Sequence, residues 1–445
     1  MPISNFPTAL QPAIQEGFLE REFKEGLEST TVYRSVADPE IFPAAVGETV
    51  TKTRKGLKAP VTAALSPASN TNLDNGLTPA SWTIEQYTLG VNMYGDTIDL
   101  NMVTTRVGIE GQFLHNARTN AVQAGQSIDR FARGALLNSY MAGHTRVTAT
   151  LGSPNVTIAV DDIRGFQQII LNGKLVDVAD ATGKRLTVYV NGTAYTCIAA
   201  TADGTNVSSV LAMGGISGTL TMTATVSTAN GTTNNPVTSY YAPSVLRPNG
   251  RSTTKKLVAT DLFSMGLCLD AVTRLRKNGV PTIGGLYNCY IDDDSQRQLF
   301  SDPDFKLLFQ GRDAASEFRT ARVIQLLSLR FLPTTEAVQQ ELVNEAAATI
   351  NVHRPLVVGA GALVEGIYED TAYTDLVANP NSIVSVSGGV AMVTRPPLDR
   401  LGQIIAQSWY YIGGFVCPTD ITATETIIPT AAKSLHKRAV LIEHA

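Results

Sequence analysis

The sequence predicts an α+β fold interrupted by an inserted all-β domain, and three observations carry that reading. Apolar residues at helical spacing form one unbroken stripe from about residue 105 to 143. A Thr-, Gly- and Asn-rich stretch, about 150–246, alternates apolar and polar positions, and between Leu186 and Leu246 its only charged residue is Asp203. Mixed helix and strand patterns return at about 251 and continue through the rest of the chain.

The first 46 residues mix a short helical pattern, Pro12 to Leu27, with loop pieces such as Ala37-Asp38-Pro39. They have no core of their own and read as an arm that must lie on something else. Residues 47–94 read as a long extended loop. Its outgoing side is basic, with Lys52, Arg54, Lys55 and Lys58, and Ser66 to Ala80 has the Ser/Asn/Gly/Pro composition of a tip. The chain returns through a half-buried strand in which Tyr87, Leu89, Val91 and Met93 alternate with polar residues. A solvated basic strand face is the plain reading of the four cations.

In the long helix the stripe is Leu114, Ala117, Ala121, Ala124, Ile128, Phe131 and Ala135. Gln112, Asn116, Asn120, Gln123, Asp129, Arg130 and Arg133 are assigned to the opposite, polar face. At 1.5 Å per residue the helix spans about 50 Å. Its alanines suit close packing against a sheet or loop better than a leucine zipper.

Within the insertion, Leu186 to Cys197 reads as two strands joined by the Asn191-Gly192 turn, and Gly218 to Val226 as another strand. A compact β-sandwich is expected, possible members including an immunoglobulin-like module. Further on, Asp261 is expected to cap a helix from Leu262 to Lys277 with Leu262, Met265, Leu269, Val272 and Leu275 inward. A strand at Tyr287–Ile291 and a helix at Ser295–Phe300 follow. Later strand candidates are Pro355–Val358, Ile383–Val393, Gln403–Val416 and Thr419–Ile428, before a basic segment from Lys433 to Arg438 and the apolar run Ala439–Ile442.

Composition narrows function. The 445 residues are 44% hydrophobic and 17% charged, with a net charge of −4. That balance argues against electrostatic gripping of nucleic acid, though not against enclosing it. No secretory signal opens the sequence, and no apolar run is long enough to span a membrane. Four scattered cysteines show no metal-ligand rhythm, and the sequons at Asn155, Asn191, Asn206 and Asn230 are turn composition.

Candidate chemistry is sparse. Asp292-Asp293-Asp294 lacks a partner Glu or His at useful spacing, so Asp294 or Ser295 is expected to cap the next helix. Gly359-Ala360-Gly361 has Val364 where a dinucleotide loop needs its third glycine, and reads as a tight bend. Five histidines stand apart from any nucleophile, and no P-loop or nucleophile elbow occurs. The sequence therefore predicts no catalytic residue, no cofactor and no metal, and a structural role over an enzymatic one.

Several stretches resemble tailed-bacteriophage major capsid proteins of the Hong Kong 97-type fold. Ser127 to Arg133 is similar to their spine-helix segment, Leu267 to Pro281 to the first axial-domain helix, Tyr287 to Phe305 to the strand and helix after it, and Arg354 to Gly366 to the late axial strand and turn. The resemblance covers most of the chain apart from about 150–246, and it rests on the order of these stretches. It implies an N-terminal arm (1–46), an extended loop (47–94), a peripheral domain with spine helix (95–149 and 398–445), an inserted β domain (150–246) and an axial domain (247–397). It implies a subunit that self-assembles as pentamers and hexamers into an icosahedral head around double-stranded DNA. Lys52, Arg54, Lys55 and Lys58 would then meet a neighbouring subunit, and Leu114, Ala121, Ile128 and Phe131 would pack the spine helix. Further implied partners are a separate scaffolding protein, a portal, the packaged DNA without sequence preference, and a decoration protein, but no membrane. Some relatives join a loop lysine to a neighbour's asparagine; here the lysines stand in a polar setting and no partner carries over, so a non-covalent shell is expected. A phage tail or adhesion protein stays open as the alternative, because it could share the Thr/Gly/Asn-rich β module.

Overall fold

The computed structural model describes residues 6, 10–11, 18–28, 31–42, 49–55, 61, 64, 84–101, 109–172, 174–207, 215–309, 325–368, 381–397, 399–420 and 434–445. The expected loop tip at 66–80, Lys58, the side chain of Lys55 and most of the expected strand 419–428 lie outside them.

Along the chain, helix α1 (Phe18–Glu28) precedes β1 (Ala37–Phe42), β2 (Thr49–Lys55), β3 (Ile84–Gly90) and β4 (Asn92–Asn101). The 32-residue helix α2 (Ile109–Tyr140) leads into β5 (His144–Arg146), β6 (Asn155–Val160), β7 (Gln168–Leu171) and β8 (Lys174–Asp177). Then come β9 (Leu186–Val190), β10 (Thr193–Val207), β11 (Ile216–Val226), β12 (Pro236–Ser239) and β13 (Val245–Leu246). Helix α3 (Met265–Lys277), β14 (Tyr287–Ile291), α4 (Asp293–Ser301) and α5 (Pro303–Phe309) follow. Strands β15 (Gln325–Leu326), β16 (Leu329–Pro333), β17 (Gln339–Val343), β18 (Thr349–His353) and β19 (Leu356–Val358) come next. The last are β20 (Leu363–Tyr368), β21 (Ile383–Ser387), β22 (Val390–Arg395), β23 (Ile404–Val416) and β24 (Ala439–Ile442).

The chain forms two compact units, one from Met1–Thr51, Thr88–Leu136 and Leu363–Cys417, the other from Lys52–Tyr87, Leu137–Ala362 and Pro418–Ala445. Strands β2 and β3 pair as a two-stranded ribbon.

The first unit is a helix on a sheet. Strand β23 is its spine, paired antiparallel with β4 on one side and with β22 and then β20 in succession on the other, while β1 adds in parallel to β20. Phe113, Ala117, Ala121, Ala124 and Ile128 of α2 share one core with Leu100, Met392, Ile405, Trp409 and Tyr411 from the sheet and with Leu19, Phe23 and Leu27 from α1. The alanines serve close approach: a Cβ added to Gly26 of α1 would stand 2.8 Å from the Cβ of Ala121.

The buried face of α2 is rotated from the expected one. Asn116, Asn120, Asp129 and Arg133, all assigned to the polar face, are buried. Three of them find partners inside the unit: Asn116 Oδ1 accepts from Gln112 Nε2 at 2.9 Å, Asn120 Nδ2 donates to the Gln407 carbonyl at 2.9 Å, and Asp129 Oδ1 accepts from Val32 N at 2.8 Å, while Asn120 Oδ1 has no hydrogen-bond partner among the described residues. Ala121 and Ile128 are fully buried, whereas Leu114 and Phe131 are half-buried, Phe131 lying against Tyr94 with ring centroids 4.3 Å apart.

In the second unit, the insertion is a closed barrel rather than the expected two-sheet sandwich. Its six strands run in the order β5-β12-β9-β10-β11-β6. The ends meet where Val147, just past β5, bridges Val160 of β6, and Thr148 N donates to the Ala159 carbonyl at 3.0 Å. Closure leaves no open edge, and the alternate residues Val188, Val190, Leu220, Met222 and Val237 fill the interior. The incoming strand β5 and the outgoing strand β12 are hydrogen-bonded neighbours. The predicted turn is present, with Asn191 at φ 49°.

The other sheet of this unit runs β13-β24-β19-β14-β16-β15, with α3 packed on it. Strands β14, β19 and β24 are buried at every residue, which explains their unbroken apolar runs. Strand β24 thus sits beside β19, in the same sheet as the 247–397 region and away from β23. Helix α3 starts at Met265 with Ser264 as N-cap. Asp261 does not cap it: fully buried, it accepts from Asn249 Nδ2, Arg251 Nε and Val258 N, knitting the preceding loop. The inner residues of α3 are Leu267, Cys268, Ala271, Val272 and Leu275, while Leu269 faces outward, as does Leu262 just before the helix.

Candidate assembly elements

The ribbon base is held by its own chain. Arg54 of β2 donates through Nη1 to both oxygens of Asp420, at 3.1 and 3.2 Å, and through Nη2 to the Gly361 carbonyl at 2.9 Å. Arg438 grips the same carboxylate from Nε at 2.6 Å and Nη2 at 3.0 Å, and donates from Nη1 to the Ala360 carbonyl at 3.0 Å. One carboxylate thus bridges two forked guanidiniums. Gly361, at φ +72°, is what lets them close over the turn, because a Cβ there would lie 2.5 Å from Arg438 Nη1. Of the four cations expected to face a neighbouring subunit, Arg54 is therefore engaged within its chain, and Lys52 is half-buried. Of the C-terminal basic segment, Lys437 is buried in the second unit and His436 and Arg438 are half-buried. Burial lowers the Lys437 pKa, partly offset by the charges of Asp420 and Glu85.

In the first unit the end of the arm hangs on two buried carboxylates. Asp129 of α2 accepts from the backbone N–H groups of Val32 and Arg34 at 2.8 and 2.9 Å. Burial raises its pKa, with those hydrogen bonds and Arg133 acting against the rise. Arg34 in turn straddles Glu365 of β20, from Nε at 2.9 and 3.0 Å, and Tyr411 Oη donates to the same carboxylate at 2.9 Å. Residues 32–42 therefore lie on their own unit. Neither Asp129 nor Asp420 is marked by local spacing; each is found through partners roughly a hundred or more residues away in sequence.

Asp292, rather than Asp294 or Ser295, caps α4. Its carboxylate also meets His353 Nδ1 at 2.5 Å and Gln339 Nε2 at 3.0 Å, while Ser295 Oγ contacts both it and His444 Nε2, the latter at 2.7 Å. Asp292, Asp294 and His353 place ligand-type atoms within 4.8 Å of one another, the histidine coming from 61 residues away. Burial raises the Asp292 pKa, but the hydrogen bonds from His353 and Ser295 outweigh it and hold the carboxyl at about 2. Both Asp292 oxygens already accept from protein donors, so the cluster acts as a helix cap and a clip on the chain's last residues. Nearby, a cleft of about 560 Å³ lies between β5, β12 and β24. Its charges are paired across it: buried Glu443 accepts from Arg247 Nε at 2.7 Å and Arg354 Nε at 3.1 Å, and Arg146 meets Asp161.

No protein-family model matches the sequence, and no curated protein does. Among solved structures, the chain is similar to the capsid chain of Ralstonia phage GP4, at 10% identity over 94% of this chain and 90% of that one, with a TM-score of 0.48. It is similar to the capsid of cyanophage P-SCSP1u at 9% identity, over 93% and 88% of the two chains, with a TM-score of 0.47. A third is the head of Helicobacter pylori bacteriophage KHP40, at 8% identity over 93% and 91%, with a TM-score of 0.43.

Proposed function

We propose that this chain is the major capsid protein of a tailed bacteriophage with the Hong Kong 97-type fold, a structural component of the virion rather than an enzyme. The observation that carries the reading is the order of parts along one chain. A β-ribbon of Thr49–Lys55 with Ile84–Gly90 comes first, then a 32-residue helix on a β-sheet, then a barrel inserted ahead of a second, mixed sheet. That order matches the one implied by the sequence stretches at Ser127–Arg133, Leu267–Pro281 and Arg354–Gly366.

In this reading the chain assembles with itself as pentamers and hexamers around double-stranded DNA, with a separate scaffolding protein and a portal. The weakly acidic composition suits a wall from which DNA must leave freely. The barrel is an outward module, the place for a decoration protein. The lysines of the extended loop, Lys52, Lys55 and Lys58, meet carboxylates of a neighbour without covalent linkage. Negative-stain microscopy of the expressed chain with its scaffold tests the reading: closed shells or capsomer sheets are expected, and a compact monomer at micromolar concentration overturns it. Boiling the particles in detergent should release one band near 47.5 kDa.

A further inference from the structure

Opposite charges gather beside the two ends of α3, acids from the α4–α5 corner at its start and its own bases at its end. At its start, Phe263 N donates to Gln298 Oε1 at 2.8 Å and Met265 N donates to Asp302 Oδ2 at 2.7 Å. These bonds pin the α4–α5 corner to the beginning of the helix. The corner exposes Asp293, Asp294 and Asp304 and half-exposes Asp302, against the cations Arg297 and Lys306. Thirteen residues at 1.5 Å rise put the last turn of α3 about 20 Å away. There Arg274, Arg276 and Lys277 are exposed, and Arg276 Nη2 donates to Ser328 Oγ at 2.7 Å, beside half-buried Arg330 of β16. Apolar surface accompanies the charges: Leu262 is 45% exposed, Leu269 42% and Leu307 61%.

We propose that the basic end of α3 in one copy of this chain docks on the acidic α4–α5 corner of the next copy. The proposal rests on the capsid reading and names one surface through which copies meet around a ring. Each chain presents two different, complementary patches, so the contact is head-to-tail, and such contacts propagate until rotation closes them. The exposed leucines supply apolar burial, and the rim charges fix orientation and speed encounter. Helix dipoles by themselves favour acids at a helix start and bases at its end, which is a purely internal role. The two roles differ in what reversal of the charges does.

The test uses the full chain with scaffold and two double variants. Arg274→Glu/Lys277→Glu reverses the basic end and spares Arg276; Asp293→Lys/Asp304→Lys reverses the acidic corner and spares Asp302. Circular dichroism checks that each is folded, and sedimentation velocity reads the assembled fraction. Each variant alone should lose about tenfold or more of its assembly, with the loss shrinking at high salt. An equimolar mixture should restore assembly of six-membered rings, in which the two variants can alternate so that every contact pairs a base with an acid, but not of five-membered ones. Folded variants that assemble like the wild type overturn the proposal, as does a mixture that restores nothing. A lowered melting temperature with unchanged assembly assigns the charges to their own helices and also overturns it. If reversal unfolds the chain, Arg274→Gln and Asp304→Asn carry the same test at smaller amplitude. A wild-type chain that stays monomeric overturns the capsid reading itself, whereas wild-type shells with indifferent variants overturn this contact alone.

Discussion

Both compact units bury carboxylates, but among the described residues the second also encloses imidazoles, and the difference sets how each answers acid. The first unit buries carboxylates against backbone N–H donors and an arginine, with Asp129 and Glu365 as its anchors. The second buries neutral imidazoles. Burial, aided by Arg247, lowers His144 to about 4; burial lowers His436 to about 4; burial and the stacked ring of His353 lower His444 to about 4. Imidazoles kept neutral stabilise the fold above the ordinary histidine value of 6.5, and that contribution is lost as pH falls from there through 4, up to roughly 3 kcal/mol each. Glu443 and Asp292, both held at about 2, add a further loss at lower pH. Asp129 has the opposite sign: its raised pKa means that protonation relieves the folded state as pH falls.

The largest expected effect is therefore selective acid loosening of the second unit. Hydrogen exchange at about pH 4.5, compared with about pH 7 after correction for intrinsic rates, should open β24, β19 and β12 well before α2 and β22. Uniform loosening, or α2 opening first, would remove the contrast between the units.

Next in size is Ile128→Asp in the first unit. It puts an unpaired carboxylate at a fully buried point of α2 and should cost several kcal/mol, read as a collapse of the melting temperature. Phe131→Asp should cost less, because Phe131 is half-buried on Tyr94, and an equal loss from both would mean a different buried face. In the second unit, Asp420→Ala leaves Arg54 and Arg438 side by side without their shared carboxylate. A loss of about 2–4 kcal/mol is expected for so shielded a pair, with Arg54→Ala costing less, since Arg438 keeps Asp420. The smallest effect belongs to the ribbon: Lys52→Glu should leave the unfolding free energy within about 0.5 kcal/mol of wild type. Any change there should appear in the salt dependence of assembly.

Local structure was legible in the sequence wherever one residue's neighbours decided it. The long helix expected over about 105–143 is Ile109–Tyr140, and the Asn191-Gly192 hairpin and the Tyr287–Ile291 strand stand where the pattern put them. The helix faces were harder to read. Asn120, Asp129 and Arg133 look solvent-facing by composition, yet their partners, Gln407 and the arm backbone among them, come from far along the chain. The same distance hid Asp420 as the ribbon clasp and His353 beside Asp292, whereas the partners of Asp261 lie only three to twelve residues upstream, in a loop without periodicity. Barrel closure was invisible for a related reason. Strand periodicity reports which residues face inward, but not whether the first and last strands meet, and here that depends on Val147 reaching Val160.

The barrel leaves its host by a narrow doorway. Because Thr238 of the outgoing strand pairs with His144 of the incoming one, the two crossing points of the chain are a single strand spacing apart, about 5 Å. A different module with termini equally close could be spliced in at those ends without stretching what lies beneath. Lineages of this chain could thus exchange what they display while leaving the underlying framework unchanged, and a laboratory could graft a reporter or an antigen at the same junction.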